Sequence, residues 1–496
     1  MDEKFWHTKK SKQFLKNIDT FYYAIYFDND FSSASKEPAV FHLRQFCADL
    51  KQEIDSKDLY FGHDKYHVLY LPGAFSIYSI RLSKPEYFDL FIAPVTSTPD
   101  TPQAVMQLRS RPLWEDGVYC AFEESYNFVK MLAQRFSLTI REVKENRCDF
   151  ACHSNYLSDP EKFFDRDHFV KMWVGSVGRN DKEKVRHFTQ HITVYDGDIT
   201  ETDYVAIGKR GDKCFIRIYL KSKEVIQEGY KGFFLQLWYL SGLISRYDLY
   251  CLEEAYKRKS WNYLDITRLL WALENDDRLS PEDIADIRSV LDVEKVDINK
   301  CHKLAKKYTP SVTKIFNIEF QCMRDMSKSF ELIPKNEGVT ARVYDYLDNY
   351  DLIYEYLTRV SMRLVRTNDP DPNKSRRDNN EFWDRLRNAK TVDFKRKHKD
   401  LKLIRKYTSN VNLEIRKKRA ISSLSSYGYA MTQEESGSIF NDASQLLSTL
   451  NDNDFAYFDK HKKKLASRNA EDIPDEQKRY RSICYFYDPE TDKFYD

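Results

Sequence analysis

Glycine and proline are scarce, at 14 and 15 residues in a chain of 496. That scarcity excludes collagen-like and low-complexity architectures. Charge of one sign is missing too. With 79 Lys and Arg against 77 Asp and Glu the net charge is +2, so any nucleic-acid site must be a local patch. The nine cysteines are thinly spread and form no pair of CxxC knuckles. Such an odd count in a long chain reads as reduced thiols rather than a disulfide frame. Long apolar runs are absent. Phe21 to Phe27 and Phe233 to Leu240 are the longest, far below the ~20 residues of a membrane span. The first residues are charged throughout and contain no apolar signal core. A cytoplasmic protein without membrane contact is expected.

Aromatic residues are abundant, at 15% with 34 Tyr and 32 Phe. Rings bury large areas and offset ordering entropy, which argues against disorder. A mass of 59.1 kDa predicts two or three domains. From about residue 37 to 265, period-two segments alternate with helical stretches. His67–Leu71, Phe75–Leu82, Tyr87–Ile92, Ala104–Leu108, Leu138–Val143, Arg147–His153 and Cys214–Leu220 are predicted strands. Ala121–Phe136 and Tyr230–Ile244 are predicted helices. The fold class is α+β: a central, largely antiparallel sheet with flanking helices, followed by a mostly helical C-terminal region. Four stretches result: an N-terminal segment (1–36), the mixed domain (37–265), a helical region (266–367) and a basic, helical C-terminal region (368–496). Ser280-Pro281-Glu282-Asp283 starts a helix in the third, and Asn368–Asn373, with two prolines, is a linker.

Two strands can carry chemistry. In Arg147–His153 one face shows Cys148, Phe150 and Cys152, and the other Arg147, Asp149, Ala151 and His153. Asp149 and His153 point the same way but lie about 13 Å apart along the strand. They reach one ion only if the strand curves or bulges; otherwise they pair with neighbouring strands. In Phe215–Lys221, Ile216, Ile218 and Leu220 form the apolar face, while Arg217, Tyr219 and Lys221 share the other. Those cations either snorkel beside a packed ring or bind a phosphate and help the phenol ionise. A phenol with a pKa of about 10 needs such help, or a metal, to act as a nucleophile.

Together these segments resemble a known family. Tyr204–Arg210 followed by Phe215–Glu224 (FIRIYLKSKE) is similar to the "F-x-R-I-Y-x-K-x-x-E" signature of rolling-circle replication initiators of plasmids, conjugative elements and phage-like elements. Arg147–Asn155 resembles the family's "R-x-D-x-A-x-(D/H)" strand, and Gly229–Tyr250 its helix and following "R-Y-(D/E)-L" strand. Gln107–Trp114 fits an upstream element. The likeness covers roughly residues 40–265 and implies a concrete activity. An initiator binds origin DNA, double- and single-stranded, nicks one strand, and stays joined to the 5′ phosphate through a tyrosine. The resemblance implies Tyr219 as nucleophile, with Arg217 and Lys221 steadying the scissile phosphate. It implies Asp149, His153 and Glu224 as ligands of Mg2+ or Mn2+, and a host helicase and a homodimer among the partners. The expected geometry is Tyr219, Asp149 and His153 on one open sheet face, with acidic groups within reach of the phenol. The His-hydrophobic-His metal motif of the wider superfamily is missing. A conjugative relaxase of the same chemistry and a non-catalytic DNA-binding protein of the same fold are the alternatives.

Further DNA contacts are expected from the basic turn at Lys209 and Arg210, unless it is a solvated hairpin tip. Residues 371–419 carry 17 Lys and Arg against 7 Asp and Glu. Within them Lys395-Arg396-Lys397 and Arg416-Lys417-Lys418-Arg419 either track phosphates or form solvated helix faces.

Overall fold

In the computed structural model, residues 14–62, 66–73, 76–158, 160–176, 188–195, 199–228, 231–276, 278–292, 296–328, 330–332, 336–391, 403–405, 413–432, 438–467, 484–488 and 493–495 are described. The chain divides into two compact units. One comprises residues 1–327 and 332–403, the other residues 328–331 and 404–496. The second holds the helices Leu413–Thr432, Ile439–Ser448 and Asp452–Ser467 and a strand pair at Cys484–Asp488 and Lys493–Tyr495.

A large sheet organises the first unit. Its strands, in chain order, are β1 (Phe14–Phe27), β2 (Lys57–Phe61), β3 (Tyr66–Leu71), β4 (Ile80–Lys84), β5 (Phe88–Ile92), β6 (Ala104–Leu108) and β7 (Ile140–Ser154). After the short β8 (Trp173–Val174), which pairs elsewhere, come β9 (Phe188–Tyr195), β10 (Ile199–Ile207), β11 (Cys214–Leu220) and β12 (Phe316–Met323). The spatial order is β2-β3-β4-β5-β6-β1-β7-β12-β11-β10-β9, and each neighbour pair is antiparallel. Among the described residues only Lys390–Thr391 adds a parallel pairing, on β1. The largely antiparallel sheet read from the alternation is therefore present, flanked by helices.

Two of its central strands come from outside the stretch that looked like sheet. β1 arises from the N-terminal segment, and β12 from the region read as helical. β12 separates β7 from β11, so the two strands singled out for chemistry are not neighbours. Its sequence alternates Asn317, Glu319, Gln321 with Ile318, Phe320, Cys322, and all six are buried.

The alternation decides the two faces. Ile18, Phe150, Cys152, Ile216, Ile218, Ile318 and Phe320 form the apolar face. Helices Ala341–Asp348, Tyr350–Tyr356 and Glu381–Arg387 cover it, with Tyr350 stacked on Phe150 at 5.2 Å and Trp383 edge-on to Phe320 at 6.3 Å. The opposite face is polar in its centre and is closed by helices Ser110–Glu115 and Phe233–Leu240. Among the described residues no helix is long and apolar enough to cross a membrane.

The segment Arg246-Tyr247-Asp248-Leu249, expected as a strand, is instead the first turn of helix Arg246–Lys257. Ser245 caps it, and Asp248 returns a bond to the Ser245 backbone. That reciprocal box outweighs the β-propensity of an isolated tyrosine. The helix start at Ser280 has the same box with Asp283. Ser280→Ala is expected to cost about 1 kcal/mol. The effect should be read as faster hydrogen exchange at the amides of helix Pro281–Leu291; unchanged exchange there would contradict it.

Candidate active site

Cross-strand register gathers the polar face. Tyr219 stands opposite Asn317, which stands opposite His153; one step along, Arg217, Glu319 and Ala151 line up, and beyond them Gln321 meets Asp149. The expected arrangement is met in part: Tyr219, Asp149 and His153 share a face, and an acid reaches the phenol. The face is not open, however. Tyr219 is 9% exposed, Asp149 1% and His153 0%.

The Tyr219 hydroxyl is enclosed by polar groups. It donates to Glu319 Oε2 at 3.0 Å and accepts from Asn317 Nδ2 at 3.0 Å and Lys221 Nζ at 3.2 Å. Glu319 is itself 1% exposed, and its Oε1 accepts from Arg217 Nε at 3.1 Å and from Nη2. The Arg217 guanidinium lies 5.3 Å from the Tyr219 ring centre. Burial, then the charges of Glu224 and Glu319, pushes the phenol well above its ordinary pKa, and Lys221 opposes them. At rest the nucleophile candidate is a protonated phenol with its proton already aimed at a carboxylate.

Lys221 is the first residue of helix Lys221–Glu228, where β11 ends. It is wholly buried, and its ammonium meets Asp19 Oδ2 at 3.1 Å and Glu224 Oε2 at 2.9 Å besides the phenol. The K-x-x-E spacing thus makes an i, i+3 ion pair in the first helical turn. Burial alone would strip the charge from Lys221, but Asp19 and Glu224 outweigh it and hold the ammonium well above its usual pKa. Burial likewise raises Asp19, yet Lys221 and Lys231 hold its carboxyl far below the usual range.

Asp19 is the extra residue of a β-bulge. The register of β1 on β7 shifts between Ile18, opposite Phe150, and Thr20, opposite Asp149. A bulge re-aims one side chain, here Asp19 into the cluster. Trp114 Nε1 donates to the other Asp19 oxygen at 3.0 Å. The sequence reasoning missed Asp19, Asn317 and Glu319. The period-two pattern of residues 317–322 and the lone acid in Ile18–Phe27 were the available signals.

The three expected metal ligands do not gather. Both Asp149 oxygens are taken by Arg147, at 2.8 and 2.5 Å. Burial pushes the Asp149 carboxyl up to about 7, with the Arg147 bonds opposing and the Glu319 charge adding to the rise. His153 lies flat on Trp114 at 4.5 Å, and Trp238 Nε1 donates to its Nδ1 at 3.1 Å. An indole nitrogen can only donate, so Nδ1 is the acceptor and the neutral ring carries its proton on Nε2. That Nε2 is buried without a hydrogen-bond partner among the described residues. Burial, then Lys221, pushes the imidazole down to about 3. Glu224 is held by Lys221 and by Lys231 at 2.7 Å. Among the described residues no three His, Cys, Asp or Glu side chains are placed to hold a metal ion. The residues present do not fit the divalent site that the resemblance implies.

The DNA-contact candidates fall in separate places. Lys209 and Arg210 form the exposed turn between β10 and β11, where the Lys209 amide bonds to Asp212 and Gly208 and Gly211 take positive φ of 90° and 97°. Arg416 to Arg419 belong to helix Leu413–Thr432 of the second unit, and Lys395 to Lys397 lie outside the described residues. Asp248, the acid of the R-Y-(D/E)-L segment, is occupied by its helix cap and by Thr313.

A cavity of about 290 Å³ lies on the same sheet face, lined among others by Thr20, Arg81, Asp89, Arg109, Arg111 and Lys231. Asp89, 2% exposed, fixes Arg81 at 3.3 Å and Arg109 at 2.6 Å. Lys231 joins cavity and cluster, because it lines the one and pairs with Glu224 of the other. Arg109 and Arg111 belong to the Gln107–Trp114 segment noted for its sequence.

No family model matches the chain, and no curated protein does. A solved structure that is similar, described as a rolling circle replication initiator protein from Geobacillus stearothermophilus, aligns over 77% of this chain and 98% of its own at a TM-score of 0.33 and 12% identity. Similarity of that degree assigns neither fold nor function to this chain.

Proposed function

We propose that the protein is a DNA strand transferase that starts rolling-circle replication, with Tyr219 as its nucleophile. One observation carries the reading: the Tyr219 hydroxyl points its proton at buried Glu319 while Lys221 and Asn317 donate to the same oxygen. A structural tyrosine needs one partner, whereas a nucleophile needs a proton acceptor and donors that stabilise the developing anion. The residues Arg217, Tyr219, Lys221 and Glu224 that carry the sequence resemblance all converge on this group.

The chemistry follows from those contacts. The phenol proton passes to Glu319 Oε2 as the tyrosine oxygen bonds to a backbone phosphorus. The P–O3′ bond breaks, and the departing 3′ oxygen takes a proton from solvent. The product is a 5′-phosphotyrosine and a free 3′ hydroxyl, so the phosphodiester energy is conserved and the new end can prime synthesis. Arg109 and Lys231, at the cavity beside the cluster, receive the flanking backbone phosphate. The basic turn at Lys209 and Arg210 adds a contact that carries no sequence information. The candidate metal ligands stand apart rather than converging: Asp149 is bound by Arg147, Glu224 is paired with Lys221 and Lys231, and His153 is stacked on Trp114.

The closure of the face by Trp114, Phe234 and Trp238 favours one other reading, a DNA-binding protein that does not cleave. A random-sequence, end-labelled single-stranded DNA pool distinguishes the two. Covalent capture on a denaturing gel, with the nucleotide mapped to the peptide containing Tyr219, is the expected result. DNA retarded on a native gel but never covalently attached supports the binder.

A further inference from the structure

We infer that the cation serving the Tyr219 oxygen during strand transfer is the Lys221 ammonium itself, caged by Asp19, Glu224 and the phenol. Strand transfer at this site then needs no divalent ion. The inference rests on the tyrosine reading above and goes beyond it by naming the electrophilic group.

Three oxygens surround the ammonium. An ammonium has three N–H donors and no acceptor, and the Lys221 Nζ has three oxygens around it, at 3.1, 2.9 and 3.2 Å. The side chain is 0% exposed, so the ammonium is closed to solvent; Asp19 and the phenol accept hydrogen bonds from it, while Glu224 Oε2 faces it as an ion pair without a hydrogen bond. Each carboxylate is also held from a second side. Asp19 keeps its second oxygen on Trp114 at 3.0 Å, and Glu224 keeps its second on Lys231 at 2.7 Å. A Mg2+ ion requires oxygens at about 2.1 Å in octahedral array. To obtain them here it would have to expel a buried ammonium from between its own ligands.

The charges support the same role. Asp19 and Glu224 balance Lys221 and Lys231, so the cluster is neutral while the phenol keeps its proton. When that proton moves to Glu319, the new negative charge appears on an oxygen 3.2 Å from the ammonium, in surroundings from which water is excluded. Preorganised positive charge at a forming anion, in a dry site, is where electrostatic stabilisation is largest. Lys221 is therefore engaged with the attacking oxygen and is unavailable as a grip on the scissile phosphate.

The test uses the full chain and the single-stranded DNA pool, scoring covalent adduct on denaturing gels. Wild-type protein in EDTA is expected to form adduct within about threefold of its rate in Mg2+ or Mn2+. Lys221→Ala is expected to lose at least a hundredfold, to regain tenfold or more with added propylammonium, and to gain nothing from Mn2+. Because that variant leaves one buried carboxylate charge uncompensated, the wild-type EDTA comparison stands alone if it fails to fold. Adduct that vanishes in EDTA and returns with Mn2+ overturns the lysine assignment and leaves the tyrosine reading intact. Adduct absent under every condition overturns the tyrosine reading and the lysine assignment with it.

Discussion

Glu319→Gln is expected to slow adduct formation by about 10²- to 10⁴-fold, the range usual for removal of a general base, while Tyr219→Phe abolishes it. The two outcomes differ for a physical reason. A glutamine amide in place of the Glu319 carboxylate can still accept the phenol hydrogen bond, but it cannot take the proton. A phenylalanine ring in place of Tyr219 preserves the packing and removes the attacking atom. The pair separates chemistry from folding, since neither change alters side-chain volume appreciably. Single-turnover rates on one captured oligonucleotide measure both. A Glu319→Gln variant as fast as wild type would move the base elsewhere; a Tyr219→Phe variant that still forms adduct would remove the nucleophile assignment.

Asp149→Asn is expected to make folding stability acid-sensitive. Burial pushes His153 down to about 3 from the ordinary 6.5. Between those values the unfolded chain binds a proton that the folded chain refuses, so this group costs stability as pH falls, ~1.4 kcal/mol per unit. Asp149 works the other way. Burial lifts it to about 7 from 3.8, so over that interval the folded chain holds the extra proton and stability rises as pH falls. From about pH 6.5 to 4 the two slopes oppose each other in the wild type. With Asn at 149 only the histidine slope remains, and the variant should lose roughly 3 kcal/mol more than wild type across that window. Urea midpoints measured at half-unit intervals give the two curves. Parallel curves would mean that Asp149 is an ordinary ionised carboxylate bound to Arg147.

Strand alternation was legible wherever a strand followed its own pattern. The faces of residues 147–153 and 215–221 came out as the period of two predicts, with Cys148, Phe150 and Cys152 turned away from Asp149 and His153. The helix start at Ser280 was legible because its signal is local, a hydroxyl and a carboxylate three residues apart. Arg246–Leu249, a strand only by the family resemblance, is a capped first turn because the reciprocal bonds between Ser245 and Asp248 decide it. β12 was misread because a strand with an alternating polar face, buried on both sides, differs little in composition from an amphipathic helix.

The site divides along the same line. Arg217, Tyr219, Lys221 and Glu224 lie within eight consecutive residues, and their mutual placement follows from one strand running into one helix. That much is written in the chain itself. Asp19, Asn317 and Glu319 approach the phenol from strands some 200 residues before and 100 after it, one of them through a bulge. Only the pairing of β1, β7, β12 and β11 puts them there. Sequence alone therefore determined which residue types stand beside the phenol along its own strand. The sheet order decided which acid takes its proton and which carboxylates cage the ammonium, because contacts between distant strands depend on register and burial rather than on neighbours in the chain.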